Sequence, residues 1–481
     1  MKKIFVYILS LMMLVLPMSC EEALDINTDP QAATSADPNA VLPYVFVQYA
    51  ARKTTEIGTR ITDVPQHFAR TFNSPRNGST TSFLTGNTWN MYYTQVLGNL
   101  GLVEADAREA GTGSNNITAI AVIMQALSYY ELTVIFEDIP FSESINGQEF
   151  PLPEFDDQGT VLRGCVDLLN EAMALIDEFE ALGGAGTFNV SSGDLIFGGD
   201  MQAWRRFANS LKIRILMLIR NVDASVESDI TAAFNQPLIE SNAQATLFNY
   251  PGDPGQDNAW KQILVDFGTG FNASSEFFGP SPFISDLLTS TNDPRFELFV
   301  DTRGGLPPPA LDRFPTGSNS VINDNVMRAD MPNIWFLPSE LNLYRAELII
   351  DGVLSGDADE AYRTGVEQAV TFWGQDINGA QITLTSSQID TYVNSIPDLS
   401  TLSNEDAKEQ IYTQQYLESF LRPLLSWTHV RRTGVPALDP PASATISTIL
   451  KRFTYPPTEA AANPNTPTDV LTDEPMWFEN M

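Results

Sequence analysis

Apolar residues recur at helical spacing over most of the first half of the chain and parts of the second. The stretch 117–136 is the clearest case. Its almost continuous apolar stripe includes Ile120, Ile123 and Leu127, which predicts a central helix that is buried on most sides. The same spacing predicts further helices at 41–53, 89–110, 158–180, 201–220, 339–352, 357–373 and 404–425.

The helical pattern breaks down between Asn249 and Asn333 and again after Arg432, where glycine, proline, asparagine and aromatic residues dominate. These segments predict long loops. The predicted helices follow one another in pairs of about 34 residues, which is typical of tetratricopeptide-like packing, although no clean repeat is evident. The sequence therefore predicts a mainly α, single-domain fold with a loop-rich second half.

The N-terminus combines a basic start with a short apolar segment. Residues 4–16 would form a helix about 20 Å long, which is shorter than the ~30 Å hydrocarbon core of a bilayer. This combination is typical of a secretory signal and not of a membrane anchor. The pair Ser19-Cys20 that follows resembles a bacterial lipobox, which predicts lipid attachment at Cys20. One alternative stays open, namely an ordinary secretory signal in which Cys20 forms a disulfide with Cys165.

These features divide the chain into three parts. Residues 1–19 are interpreted as a lipoprotein signal peptide, residues 20–40 as a lipidated tether and residues 41–481 as one folded domain. The tether is polar and contains Asp-Pro pairs, which disfavour helix. Glu21 and Glu22 resemble the acidic surface-export signal of Bacteroidetes-type lipoproteins, so we expect an outer-membrane protein that faces the cell exterior.

Charge and composition exclude several classes of function. The chain has 60 acidic and 27 basic residues, and its net charge of −33 makes nucleic acids and anionic lipids unfavourable partners. Its 2 cysteines and 2 histidines argue against a Cys/His zinc site and against histidine-activated nucleophiles. The sequence motifs of nucleotide sites, zinc proteases, serine hydrolases and calcium loops are absent. The sequence therefore predicts no cofactor, no metal site and no catalysis.

Several stretches resemble, in chain order, motifs of the SusD/RagB family of outer-membrane nutrient-binding lipoproteins, in particular its branch with an Arg-Arg-Thr-Gly motif. The resemblance departs from the family pattern at Glu137, where glycine is usual, and at Phe141, where tyrosine is usual. The matching stretches are DINTDP at 25–30, EDIPFS at 137–142, PEFDDQ at 153–158, FGGD at 197–200, WRRFANSLKIR at 204–214, DPR at 293–295, PSE at 338–340, AE at 346–347, WTHVRRTGVP at 427–436 and KRFTYP at 451–456.

This resemblance implies a SusD-like α fold and a lipid-anchored protein at the cell surface. It also implies a function, which is capture of a nutrient and its delivery to a SusC-like TonB-dependent transporter, over which the protein sits as a hinged lid. The nutrient is expected to be an oligosaccharide, with a peptide as the alternative. Two other classes stay open: a surface lipoprotein that hydrolyses glycans, and a structural transporter lid without a ligand site of its own.

Sugar capture needs aromatic faces and placed polar side chains, and the loop regions supply both. Each candidate also has a structural interpretation, as a hydrophobic plug under a loop or, for Trp89 with Tyr93, as core packing at i and i+4. The ligand-binding candidates are Phe72, Asn73, Arg76 and Asn77 in one cluster, Trp260, Phe271, Asn272, Phe277 and Phe278 in a second cluster, and Trp89.

Arg431 and Arg432, next to Trp427, could bind a ligand, since arginine pairs with carboxylates and stacks on aromatic rings. A buried ion pair with Asp200 or Glu347 is the favoured interpretation in so acidic a chain.

The adjacent acids Glu137-Asp138 and Asp156-Asp157 could instead be the carboxylates of a glycosidase. That activity needs carboxylates about 5 Å or roughly 6.5–9.5 Å apart, a spacing that the sequence does not give. Their place in turn motifs favours a structural role.

Overall fold

The structure is a computed structural model and describes residues 37–70, 75–186, 189–263, 278–311, 318–377, 379–442 and 444–479. Several predicted positions therefore lie outside the described residues. They are Cys20 with the signal peptide, and Phe72, Asn73, Phe271, Asn272 and Phe277.

Helices form most of the described chain, and those of the first half enclose a central one. Every residue of the central helix α4 is buried, as its apolar stripe predicts. Among the described residues, one helical stretch, 112–136, is long and apolar enough to cross a membrane, and its whole apolar window is buried within the fold. The described α-helices of five or more residues in this half are α1 (Pro38–Val47), α2 (Ser82–Asn90), α3 (Gly98–Glu109), α4 (Asn115–Phe136), α5 (Gln158–Ala181), α6 (Met201–Arg220) and α7 (Glu227–Phe234).

Consecutive helices pack against each other in pairs. Helix α4 packs on α5, α5 on α6, and in the second half α10 packs on α11. The second-half helices are α8 (Pro282–Ser290), α9 (Arg295–Phe299), α10 (Pro338–Ile350), α11 (Ala358–Thr371), α12 (Ser386–Ser395), α13 (Asn404–Glu418), α14 (Pro423–Thr433) and α15 (Pro457–Ala462). The predicted mainly α fold of helix pairs is confirmed.

Polar caps fix where several of these helices begin and end. The carboxylate of Asp157 accepts the backbone N–H of Thr160 at the start of α5, and that of Asp200 accepts Ala203 N–H at the start of α6. Helix α14 ends at Thr433 and is capped by Gly434, whose φ of +69° lies in the left-handed region that glycine adopts without strain.

One predicted helix is wrong. The segment 404–425 is not continuous, because α13 ends at Glu418 and α14 begins at Pro423. Proline disfavours the helical conformation of the residue before it, and Arg422 has φ −119° and ψ 64°. Leu421 has a positive φ of 61°, so the chain turns sharply between the two helices.

The described strands form small antiparallel sheets that the sequence pattern does not predict. Strand β1 (Phe68–Arg70) pairs with β3 (Phe278–Pro280), and Arg70 lies opposite Phe278. The other pairs are β2 (Thr246–Phe248) with β6 (Asn333–Phe336), and β4 (Val300–Asp301) with β5 (Val321–Ile322). Strands this short have too few positions to show an alternating pattern.

Buried ion pairs connect α10 to a helix of the first half and to a helix of the second half. Arg214 on α6 pairs with Glu340 on α10 at 2.6 Å, and Arg432 on α14 pairs with Glu347 on α10 at 2.7 Å. All four side chains are almost fully buried. Charges can be buried in this way only when they are paired and hydrogen-bonded, so these contacts fix the position of α10.

Candidate functional site

The β1–β3 pair brings together two regions that are far apart in the sequence. Arg70, the last residue of β1, shortly precedes the first predicted cluster, and its partner Phe278 belongs to the second. The described residues Arg70 and Phe278 therefore lie opposite each other on one short sheet. Of the candidate residues, the structure describes Arg76, Asn77, Trp260, Phe278 and Trp89.

Arg76 and Asn77 lie in a tight turn, Pro75–Asn77, and hold neighbouring loops together. Arg76 donates a hydrogen bond to the backbone oxygen of Leu311 and is 3.4 Å from the carboxylate of Asp63. The backbone oxygen of Asn77 accepts hydrogen bonds from the N–H and the hydroxyl of Thr445, at 2.9 and 2.8 Å. These contacts make the turn a fixed support for the surface beside it.

The described aromatic candidates are buried. Trp260 and Phe278 both pack edge-on against Phe68 in the core of the second half. Trp89 is 8% exposed, and its ring lies between Tyr93, at 4.6 Å between centroids, and Phe155, at 6.1 Å. Trp89 is therefore buried among neighbouring rings in the core of the first half, in line with the core-packing interpretation.

An open cleft of about 370 Å³ lies next to the Pro75–Asn77 turn, and we call it the Phe283 cleft. The turn holds the cleft residue Leu311 through Arg76, and Gln66 donates a 2.8 Å hydrogen bond to the backbone oxygen of Asp439 across the cleft. Its lining residues are Gln66, Phe283, Leu311, Ala437, Leu438, Asp439, Pro440, Pro441 and Ala442.

The Phe283 cleft has the general composition of a small-molecule site. Phe283, Leu438 and the prolines give apolar walls, and Gln66 and Asp439 are the polar side chains among its described lining. Such a surface can pack against the apolar face of a ligand while a few groups orient it. Apart from the neighbouring Arg76 and Asn77, the sequence prediction missed these residues. The available signal was the proline-rich stretch ALDPPA at 437–442 within a predicted loop.

A second cavity, lined mainly by buried residues, is too small for such a ligand. Its volume is about 50 Å³, enough for a few water molecules. It is lined by charged groups that include Lys53 and Glu131, which form an ion pair of 2.8 Å. Burial lowers the pKa of Lys53, and Glu131 partly opposes that shift.

The acidic pairs considered for catalysis have structural partners. Glu137 pairs with Arg452 and accepts the N–H of Trp477 at 2.8 Å, while burial raises its pKa. Asp138 accepts the backbone N–H of Gln158. The other pair is engaged as well, since Asp156 accepts the N–H of Ser142 at 2.8 Å and Asp157 caps α5.

Glu137 stands where the family motif usually has glycine, and its backbone conformation shows why glycine is usual there. Its φ of +73° is the backbone conformation in which glycine is favoured, and a non-glycine residue there carries strain. The contacts of its carboxylate with Arg452 and with the Trp477 N–H offset that strain.

The described histidines are not placed for proton transfer. Burial lowers the pKa of His67 to about 3 and that of His429 well below its ordinary value, so both rings are neutral. No cluster of histidine, cysteine and acidic side chains suited to a metal ion occurs among the described residues. Cys165 is a buried free thiol, and burial raises its pKa.

The Arg-Arg motif is buried, and the predicted ion pair is confirmed for Arg432, whereas Arg431 forms no ion pair among the described residues. Arg432 donates to both carboxylate oxygens of Glu347, at 2.7 and 2.9 Å, so Glu347 is its partner and Asp200 is not. The guanidinium of Arg431 stacks on the Trp427 ring at 3.8 Å and donates to the backbone oxygens of Lys451 and Val134. Both arginines are buried.

Solved structures share this fold along nearly the whole chain. A SusD-like protein from Bacteroidetes AC2a has a TM-score of 0.80 at 20% identity, with 93% of this chain and all of the other covered. A chitin-binding protein has a TM-score of 0.77 at 22% identity, with coverage of 92% and 100%. A chitin-binding SusD homologue from Flavobacterium johnsoniae has a TM-score of 0.75 at 18% identity, with coverage of 92% and 98%. These likenesses define the SusD class of fold.

A match between the sequence and a family model identifies the family of this chain. The family model SusD-like_2, described as starch-binding and associating with the outer membrane, matches residues 30–456. The chain therefore belongs to the SusD-like_2 family, and the family resemblance of its motifs is confirmed. No curated protein sequence matches the chain.

Proposed function

We propose that this protein is a cell-surface lipoprotein that binds a nutrient in the Phe283 cleft and delivers it to a SusC-like TonB-dependent transporter. The observation that carries the proposal is the cleft itself. Its volume of about 370 Å³ lies within the roughly 300–1,000 Å³ that is usual for ligand sites. Its walls are apolar, and it lies beside the turn that holds Arg76 and Asn77.

The ligand class that we propose is an oligosaccharide. Apolar walls suit the carbon face of a sugar ring, and the side chains of Gln66 and Asp439 can bind hydroxyl groups. Two proteins of similar structure are described as chitin-binding, which makes chitin fragments the first probes to use. A peptide is the alternative ligand.

Combining Asp439→Ala with Ala442→Leu is expected to weaken oligosaccharide binding at least tenfold. The first change removes a hydroxyl acceptor and the second fills the cleft, and a loss of about 1.4 kcal/mol corresponds to tenfold in affinity. Both residues are exposed, so the fold should be unaffected. The measurement is isothermal titration of the mature protein with chitotetraose, maltotetraose and cellotetraose.

Ile382→Ala is the control for this experiment, because Ile382 is exposed and lines no part of the cleft. Unchanged affinity in the cleft variant would contradict the assignment of the site. Sugar released from the tetrasaccharides would favour a glycan hydrolase. Absence of binding to every glycan and peptide tested, together with retained capture of the transporter, would favour a structural lid.

The proposed anchor is tested by Cys20→Ala. We expect the unaltered protein in the outer-membrane fraction and the variant in the soluble fraction, because a single thiol carries the lipid. Cys165→Ala is the matched control and should remain with the membrane, since Cys165 is a buried free thiol. A Cys20→Ala protein that stays in the membrane fraction would rule out the lipobox assignment.

A further inference from the structure

A second open cleft lies away from the Phe283 cleft and shares none of its lining residues. We call it the Phe197 cleft. Its volume is about 310 Å³, at the lower end of the range that is usual for ligand sites. One wall is formed by the loop before α6 and the first turns of that helix, and the other by residues 242–249.

The first wall is held rigidly by a buried carboxylate. Asp194 accepts the N–H groups of Ile196 at 2.9 Å and Gly199 at 2.8 Å, and also the indole N–H of Trp204 at 2.8 Å. The ring of Phe197 packs edge-on against Trp204, with 5.2 Å between centroids. The apolar part of the cleft is therefore formed in advance of any ligand, which lowers the cost of binding.

Two charged groups of the first wall have spare hydrogen-bonding capacity. One oxygen of Asp200 caps α6, and the other lies 3.9 Å from the guanidinium of Arg206, at the limit of an ion-pair contact. The side chains of Asp200 and Arg206 are 55% and 24% exposed. The second oxygen of Asp200 and the guanidinium of Arg206 can therefore both reach a ligand.

Amide side chains line the opposite wall. Asn242 donates to the backbone oxygen of Gln368 at 3.0 Å and to Asp376 at 2.6 Å, which fixes its side chain, and its oxygen Oδ1 is buried without a hydrogen-bond partner among the described residues. Asn249 is exposed at the rim. Amide groups supply both donors and acceptors.

We propose that the Phe197 cleft is a second binding site, for a neutral, hydroxyl-rich ligand such as a sugar ring. A hydroxyl group both donates and accepts, so one hydroxyl can bridge Asp200 and Arg206 across their 3.9 Å separation. Asp200 and the net charge of −33 repel an anionic ligand, and Arg206 repels a cationic one. A neutral ligand avoids both repulsions. The ring of Phe197 offers an apolar surface to the carbon face of the sugar.

Methyl NMR spectroscopy of the mature protein tests this site directly. Ile196 lines the Phe197 cleft, Leu438 lines the Phe283 cleft, and Ile382 lines neither. The probes are N,N′-diacetylchitobiose, maltose and cellobiose. With at least one of them, we expect the methyl resonance of Ile196 to shift in a saturable manner while that of Ile382 stays in place.

The sugar-dependent shift of the Ile196 methyl resonance should be unchanged in the Asp439→Ala/Ala442→Leu variant. It should need at least fivefold more sugar in a variant that combines Arg206→Gln with Ala243→Leu, since Ala243 is exposed and lines the Phe197 cleft. An unmoved Ile196 methyl at saturating sugar overturns the second site, whatever Leu438 does. A shift at Ile196 without one at Leu438 supports the second site and counts against the Phe283 cleft.

Discussion

Replacing Glu347 with glutamine is expected to lower the free energy of unfolding by about 3–5 kcal/mol. The carboxylate accepts two hydrogen bonds from Arg432, and both side chains are almost fully buried. Glutamine keeps the shape of Glu347 but removes its charge, so a guanidinium is left in the interior without its counter-ion. The measurement is urea unfolding followed by circular dichroism, with the midpoint and slope determined for each protein.

Arg163→Gln is the control for this change. Arg163 forms an ion pair of 2.7 Å with Asp223, but the two side chains are 44% and 35% exposed to solvent, so its loss should cost less than about 1 kcal/mol. Replacing both buried partners, by Glu347→Leu with Arg432→Met, should restore much of the stability lost in the single variant. If Glu347→Gln costs no more than Arg163→Gln, the Arg-Arg motif does not act through this ion pair.

Trp204→Ala is expected to cost about 3–5 kcal/mol of unfolding free energy, because it leaves a large cavity in the core of the first half. The ring is fully buried, lies 6.0 Å from Phe46 between centroids and donates its N–H to Asp194. The same urea titration measures this effect.

Trp204→Phe separates the two contributions of this side chain. It keeps most of the ring but removes the N–H, so we expect a cost of about 1–3 kcal/mol, the penalty for leaving a buried acceptor short of one donor. Equal losses in the alanine and phenylalanine variants would show that the hydrogen bond to Asp194, and not the ring volume, carries the stability.

The spacing of apolar residues along the sequence predicts the long helices but does not predict the clefts. The apolar stripe at 117–136 predicts α4, because residues three or four positions apart lie on the same face of a helix. The break before α14 was also visible as Pro423, although the apolar spacing continued through it. The sequence pattern does not predict the short strands. The β1–β3 pair, for example, joins Phe68 to Pro280, which lie far apart along the chain.

The candidate site shows the same division. Two of the residues predicted from the sequence, Arg76 and Asn77, lie beside the proposed Phe283 cleft. It could not tell which aromatic rings face solvent. Trp89 and Trp260 are buried, whereas Phe283 lines an open surface, and that difference is set by tertiary packing. The partner of Arg432 was foreseen as one of two acids, and the position of α10 decided between them.

The walls of the Phe283 cleft come from residues 66, 283, 311 and 437–442, which lie far apart along the polypeptide. A nascent chain that has not reached residue 437 lacks an entire wall, however well its first helices have formed. The proposed ligand site is therefore complete only near the end of synthesis. Under the proposed function, we expect binding activity to distinguish full-length protein from shortened products that retain most of the helices.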